Sequence, residues 1–163
     1  MKADRFIKAL KHPVKFRMFL LSKLPLALLA GVRIREIDDR KCMVTVPYNR
    51  ITKNPFRSTY FAALAMAGEL STGALAMAKA IDQPAKISLL VVKLEATYFK
   101  KATGITFFTC KDGVAFSETI QKAIKEDQPQ QLTAVSTGES EAGELIATFH
   151  ITWSFKAKNK ALS

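Results

Sequence analysis

Residues 58–78 read STYFAALAMAGELSTGALAMA, and Glu69 is the only formally charged residue in the run. The segment is built almost wholly from Ala, Leu, Met, Gly, Ser and Thr. A helix made from it has no broad polar side to turn toward water and has to be surrounded on most sides. It is long enough to cross a bilayer, but an acid at the centre of a span costs roughly 2.5–3.5 kcal/mol. Burial inside a folded domain is the better account. Asn54-Pro55 precedes the run, and a residue before proline is pushed out of helical geometry. The helix is therefore expected over 57–81, with Ser58 or Thr59 as its N-cap and Asp82-Gln83-Pro84 as its stop.

The flanking sequence supplies the surroundings such a helix needs. VRIREIDDRKCMVTVPY reads as two antiparallel strands joined by the polar turn Asp38-Asp39-Arg40-Lys41, with Pro47 closing the second. After the helix, residues 86–99 and the stretch ITFFTC that follows Gly104 are rich in β-branched and aromatic residues, as strands are. Residues 117–127 return to helical spacing through Ile120, Ala123 and Ile124. LTAVSTG and LIATFHITWSF complete the set. In the latter, Leu145, Ala147, Phe149, Ile151, Trp153 and Phe155 share one face, and Thr148, His150, Thr152 and Ser154 the other. The simplest assembly is α+β: a curved antiparallel sheet wrapped around one long apolar helix. At 163 residues, nearly half apolar, the chain is expected to be a single domain with a substantial core.

Ahead of it, residues 1–30 form an extra N-terminal helical segment in which cations separate Phe6, Ile7, Leu10, Val14, Phe16, Phe19, Leu20 and Leu24. Residues 18–32, interrupted by Lys23 and Pro25, are too short for a span and read as helix, turn, helix lying on the domain. The chain carries a formal charge of +11, concentrated in Lys2, Arg5, Lys8, Lys11, Lys15, Arg17 and Lys23 against Asp4 alone, while Lys156, Lys158 and Lys160 read as a solvated tail. Nucleic acid, a membrane surface and a phosphate-bearing molecule such as coenzyme A all match that sign. Nucleic acid ranks last, because no recognised motif and no basic run interleaved with stacking aromatics accompanies the charge. Peripheral membrane contact through the basic N-terminus stays open. Cys42 and Cys110 sit in apolar, strand-like runs without metal spacing, as reduced packing residues of a cytoplasmic protein do. No metal and no cofactor is expected. A lone His is usually structural, so neither His12 nor His150 is assigned to catalysis.

A carboxylate buried without compensation costs several kcal/mol or takes up a proton, which makes Glu69 the leading candidate for chemistry. The alternative is that it lies on one wet edge of a core helix or caps a neighbouring element.

Residues 54–69, NPFRSTYFAALAMAGE, sharpen that choice. They resemble the hotdog-fold thioesterases of the phenylacetyl-CoA type, which carry an Asn in the loop before the central helix, His-Gly-Gly where this chain has Tyr60-Phe61-Ala62, and an acid where it has Glu69. With Tyr in place of His-Gly-Gly and the basic N-terminal segment, the chain looks more like the poorly characterised domain-of-unknown-function branch beside those enzymes. The resemblance implies a hotdog fold across residues 31–155 and hydrolysis of an acyl-coenzyme A thioester. By this resemblance Glu69 is the general base or nucleophile, Asn54 orients water or the acid, Tyr60 with Phe61 marks the oxyanion region, and Phe61 and Ala62 bind substrate. Lys53, Arg57, Lys100 and Lys101 are candidates for the coenzyme A phosphates. Tyr60 and Glu69 are nine residues apart, about 13.5 Å along a helix, so one chain cannot build this site alone. Two helices antiparallel across a two-fold axis would bring the helix start of one subunit to the Glu of the other. The resemblance likewise implies a homodimer or a dimer of dimers with shared sites. Without Gly at the oxyanion position close backbone approach is harder, so a non-catalytic acyl-chain or lipid-binding hotdog protein is the second reading.

Overall fold

The computed structural model describes residues 2–158. Three helices, α1 (Lys2–Lys11), α2 (Pro13–Lys23) and α3 (Pro25–Leu29), precede strands β1 (Arg33–Ile37) and β2 (Cys42–Val46). The long helix α4 (Phe61–Ile81) follows, then β3 (Lys86–Tyr98), β4 (Thr106–Cys110), helix α5 (Gly113–Glu126), β5 (Gln130–Ser140) and β6 (Leu145–Lys158). All six strands pair antiparallel in the order β1-β2-β4-β5-β6-β3. This is the curved sheet around a central helix that the α4 sequence demands, and it is the hotdog arrangement.

Two glycines make room for the rings between helix and sheet, Gly68 on the helix and Gly138 on β5, directly opposite Phe108 of β4. A Cβ on Gly68 of α4 would stand 3.0 Å from the Phe149 ring, and one on Gly138 of β5 would stand 2.5 Å from the Phe108 ring. Those two rings fill the resulting space edge to face, 5.3 Å apart. A polar tie crosses the same contact, with the hydroxyls of Ser71 and Ser136 at 2.7 Å and Ser71 also donating to the Gly68 carbonyl. Two-thirds of the most apolar stretch of α4 is buried, although the helix is long and apolar enough to cross a membrane by composition alone. On β6 the alternating set from Ala147 to Phe155 faces this core, whereas Leu145 at the strand end is exposed and its neighbour Ile146 is buried.

Several boundaries differ from the sequence reading for identifiable reasons. α4 begins at Phe61 with Tyr60 as N-cap, because Ser58 and Thr59 spend their hydroxyls on Asn54 and on the Ala102 carbonyl. α5 starts four residues earlier than its periodicity suggests: Gly113 lies against the β1–β2 turn, where its N–H bonds the Arg40 carbonyl and a Cβ would meet the Asp39 carbonyl oxygen at 2.3 Å. β4 starts at Thr106 rather than directly after Gly104, and β5 extends beyond LTAVSTG at both ends. Lys156 and Lys158 belong to β6, paired with Ser88 and Lys86, and are not a tail. Lys160 lies outside the described residues. Cys42 and Cys110 are free, buried and directly opposite each other on β2 and β4. Burial raises both thiols, Cys110 to about 12, so neither is a ready nucleophile.

Replacing Gly138 with Ala should cost about 1–3 kcal/mol, because Phe108 is fully enclosed and has nowhere to retreat. Gly104→Ala, whose Cβ would find no atom nearer than 3.8 Å, should stay within about 0.5 kcal/mol of the parent. Urea denaturation midpoints compare the two.

Candidate active site

The site region begins in the loop that enters α4. Asn54 closes it: its side-chain oxygen accepts the N–H groups of Phe56 and Ser58 at 2.9 and 3.2 Å, and its amide nitrogen donates to the Ser58 hydroxyl at 3.1 Å. Inside this turn Arg57 adopts a left-handed φ of 62°, a conformation that a non-glycine residue keeps only where its surroundings hold it. The Asn54 side chain thus spends its hydrogen bonds on the loop, at the rim of the groove described below. Two backbone bonds then fix the helix start, Thr59 N–H to the Ala102 carbonyl at 2.8 Å and Tyr60 N–H to the Thr52 carbonyl at 2.7 Å.

Tyr60 therefore has no amide to offer an oxyanion. Its carbonyl accepts Ala63 and Leu64, which leaves Phe61 and Ala62 as the first helical residues, whose N–H groups have no partner within the helix. This helix start, with the positive end of the helix dipole behind it, borders an open groove of about 520 Å³ lined by Asn54, Tyr60, Phe61, Leu64, Tyr98, Lys100 and Lys101 among others, though not by Ala62. Tyr60 and Phe61 stack edge to face at 4.8 Å and remain 48% and 56% exposed. Lys53 and Arg57 lie away from this groove, on the far side of the Asn54–Pro55 turn beside Tyr48. The cations at the groove are Lys100, paired with Glu144, and Lys101, which donates to the Phe56 carbonyl at 3.1 Å.

Glu69 lies two and a half turns further along α4 and does not line that groove. It is half-buried, and among the described residues no donor reaches its carboxylate. Its surroundings are specific: a Cβ on Gly73 would stand 3.1 Å from a Glu69 carboxylate oxygen and 3.2 Å from the indole of Trp153. The glycine one turn on makes room for the acid and the ring together. Trp153 is oriented in turn by a short relay, its indole N–H donating to the Thr72 hydroxyl at 2.9 Å and that hydroxyl to the Glu69 carbonyl at 2.9 Å. Burial against this apolar wall raises the Glu69 carboxyl above its ordinary value of 4.5. Apart from Phe61, Lys79 and Ile81 near its two ends, the residues of α4 that are not buried, Ala62, Ala65, Met66, Glu69, Met77 and Ala80, follow helical spacing and form one stripe that contains the acid. Gly73 could have been read from the i, i+4 spacing. Trp153, eighty-four residues away in the chain, gave no such signal.

The arrangement offers one desolvated acid and one helix start, on the same helix and apart. Among the described residues no three His, Cys, Asp or Glu side chains are grouped closely enough to hold a metal ion.

The model of the domain of unknown function DUF4442 matches residues 14–155. This chain belongs to the DUF4442 family. Solved structures with the same hotdog fold are found at low identity. A protein of unknown function from Pseudomonas aeruginosa, described as a probable thioesterase, is 17% identical with a TM-score of 0.76, over 90% of this chain and 97% of its own. A protein of unknown function from Chlorobaculum tepidum is 12% identical with a TM-score of 0.74, over 88% and 93%. A thioesterase from Haemophilus influenzae is 10% identical with a TM-score of 0.61, over 90% and 92%. No curated protein matches the chain. The DUF4442 chain thus shares the hotdog fold of these structures.

In this DUF4442 protein, the raised Glu69 carboxyl has a defined effect on stability. Its folded-state pKa lies above the unfolded value, so its contribution is fully present below about 4.5 and is lost as pH rises through the raised value. Glu69→Gln should therefore melt higher than the parent at neutral pH, with the gap closing as pH falls toward 4.5. Thermal melts across that range check the sign, and a parent more stable than the variant at pH 7 would mean that the carboxylate has a compensating partner.

Proposed function

We propose that this protein hydrolyses an acyl-coenzyme A thioester in a homodimer whose two sites are each shared between subunits. The observation that carries this reading is the Glu69 carboxyl: desolvated, without a hydrogen-bond donor among the described residues, beside Trp153 across Gly73, and on the accessible stripe of a largely buried helix. A carboxylate in that state is a stronger base than one in water, and a general base works best when its pKa approaches the working pH. The thioesterase-like fold supports an acyl thioester as the substrate class.

In this reading the acyl carbonyl lies at the start of α4, and the N–H groups of Phe61 and Ala62 stabilise the charge that develops on its oxygen. Glu69 of the second subunit removes a proton from water, whose oxygen forms the bond to the acyl carbon. The carbon–sulfur bond then breaks, and the thiol of coenzyme A leaves with the proton returned by the acid. Ala62 suits the oxyanion position better than a bulkier residue, since a methyl group adds the smallest side chain after glycine. Lys100 and Lys101 flank the groove and supply positive charge for the nucleotide phosphates.

Homodimerisation is supported by β3. It is an outer strand of thirteen residues and presents unpaired backbone groups that a second strand can satisfy. Leu90, Val92 and Leu94 on it are 62%, 43% and 43% exposed. A two-fold axis beside this edge is compatible with the accessible stripe of α4 meeting its own copy. The acyl-chain-binding alternative differs in one respect only: ligand would bind and no thiol would be released.

Glu69→Ala should lower thioester hydrolysis by at least about a hundredfold, the scale for loss of a general base, when thiol release is followed over acyl-coenzyme A substrates of increasing chain length. Retained turnover would remove Glu69 from the mechanism, and tight binding by the parent without turnover would favour the binding protein. Leu90→Arg with Leu94→Arg should convert the dimer to monomer in sedimentation and abolish hydrolysis with it. An active monomer would overturn the shared site.

A further inference from the structure

Helix α2 is apolar on two opposite sides. Phe16 and Leu20 enter the core, 4% and 0% exposed, while Val14, Met18 and Leu21 on the reverse side stand 58%, 66% and 65% exposed. A helix lying on a globular domain ordinarily turns charged and polar side chains outward. The next helix, α3, extends the apolar surface with Leu26 and Leu29, 62% and 60% exposed. Single exposed apolar residues carry no message, but a group of five on two consecutive short helices marks an interaction surface.

The charge around this surface says what kind. Between Asp4 and Glu36 the chain has no acidic residue, and Lys15, Arg17 and Lys23 of α2 are all exposed. Arg17 also lines a pocket of about 260 Å³ between α1, α2 and β1, where Lys11, Arg33 and Arg35 join it. A second copy of this chain seated face to face on α2 would bring these cations against their own images, which opposes pairing. Apolar side chains flanked by Lys and Arg without any acid form the pattern of a helix that lies in a lipid interface.

We propose that α2 and α3 form a docking surface for an anionic phospholipid bilayer, with Val14, Met18, Leu21, Leu26 and Leu29 entering the boundary of the acyl region. Lys15, Arg17, Lys23 and the pocket cations meet the headgroup phosphates. The surface makes no use of Glu69, so it stands whether or not the protein turns out to hydrolyse thioesters.

The test is co-sedimentation of the full chain with phosphatidylcholine vesicles made with and without phosphatidylglycerol. The parent should bind only the anionic vesicles, and more weakly as salt rises. The double variant Met18→Ser, Leu21→Ser keeps the net charge and should lose affinity by about tenfold or more. Lys15→Ala should lose about fivefold, the worth of one cation at an anionic surface. Circular dichroism verifies that the variants fold, and Met18→Trp gives a second readout, a blue shift of emission on anionic vesicles. Absence of binding at low salt would overturn the proposal. So would parent-like binding by the serine variant, which would leave net charge alone as the cause. Concentration-dependent self-association that the serine substitutions abolish would assign the face to a second copy and likewise overturn it.

Discussion

The distance between α4 and the sheet governs the rest of the structure. At Gly68 the helix comes so close to the sheet that an added methyl group would meet Phe149, and Gly138 on β5 leaves room for the Phe108 ring of the neighbouring strand to lie across it; the two rings lock edge to face in the space that remains. A core this tight resists compression and shear. The helix can neither rise nor rotate without breaking the Ser71–Ser136 contact and opening a void beside those rings. Whatever α4 carries is therefore held to a defined height above the strands. Glu69 is the next residue after Gly68, and its position follows from that packing.

The same helix holds two opposite electrostatic features in fixed relation. Its first turn, fixed by the Thr52 and Ala102 carbonyls, stands beside an open groove that Phe61 lines. Its middle carries an acid whose carboxyl burial pushes above its ordinary value. Neither is stabilising by itself: free N–H groups want an acceptor and a desolvated carboxyl wants a proton or a donor. The Asn54 turn, with Arg57 at positive φ, is a local cost of the same kind. Features of this sort concentrate where a fold has been shaped for something other than stability.

The fold was legible in the sequence largely because one segment admits so few environments. An apolar helix without a polar side must be enclosed, and strands with one covered face were visible on both sides of it in the chain. Element ends were less legible. The starts of α4 and α5 are decided by long-range contacts, Thr59 with Ala102 and Gly113 with the Asp39 carbonyl, and local propensity cannot see those. The same holds at the candidate site. The oddity of Glu69 was visible as a charge among apolar neighbours. The wall that desolvates it was not, because Trp153 arrives from the last strand. Nor was the commitment of Asn54 to its own turn, since an Asn before Pro reads alike whether it serves a loop or a ligand. Lys53 and Arg57 lie close to Tyr60 in sequence but across the turn in space, whereas Lys100 and Lys101 reach the groove from the far end of β3.

Trp153 is the only tryptophan in the chain, and it is clamped by Thr72 with its ring beside the Glu69 carboxyl. The chain thus carries a built-in optical reporter beside the acid that burial shifts upward. An ionised carboxylate quenches or shifts indole emission differently from a neutral one, so titrating the intrinsic fluorescence follows that single acid without a label, a substrate or an assay for turnover.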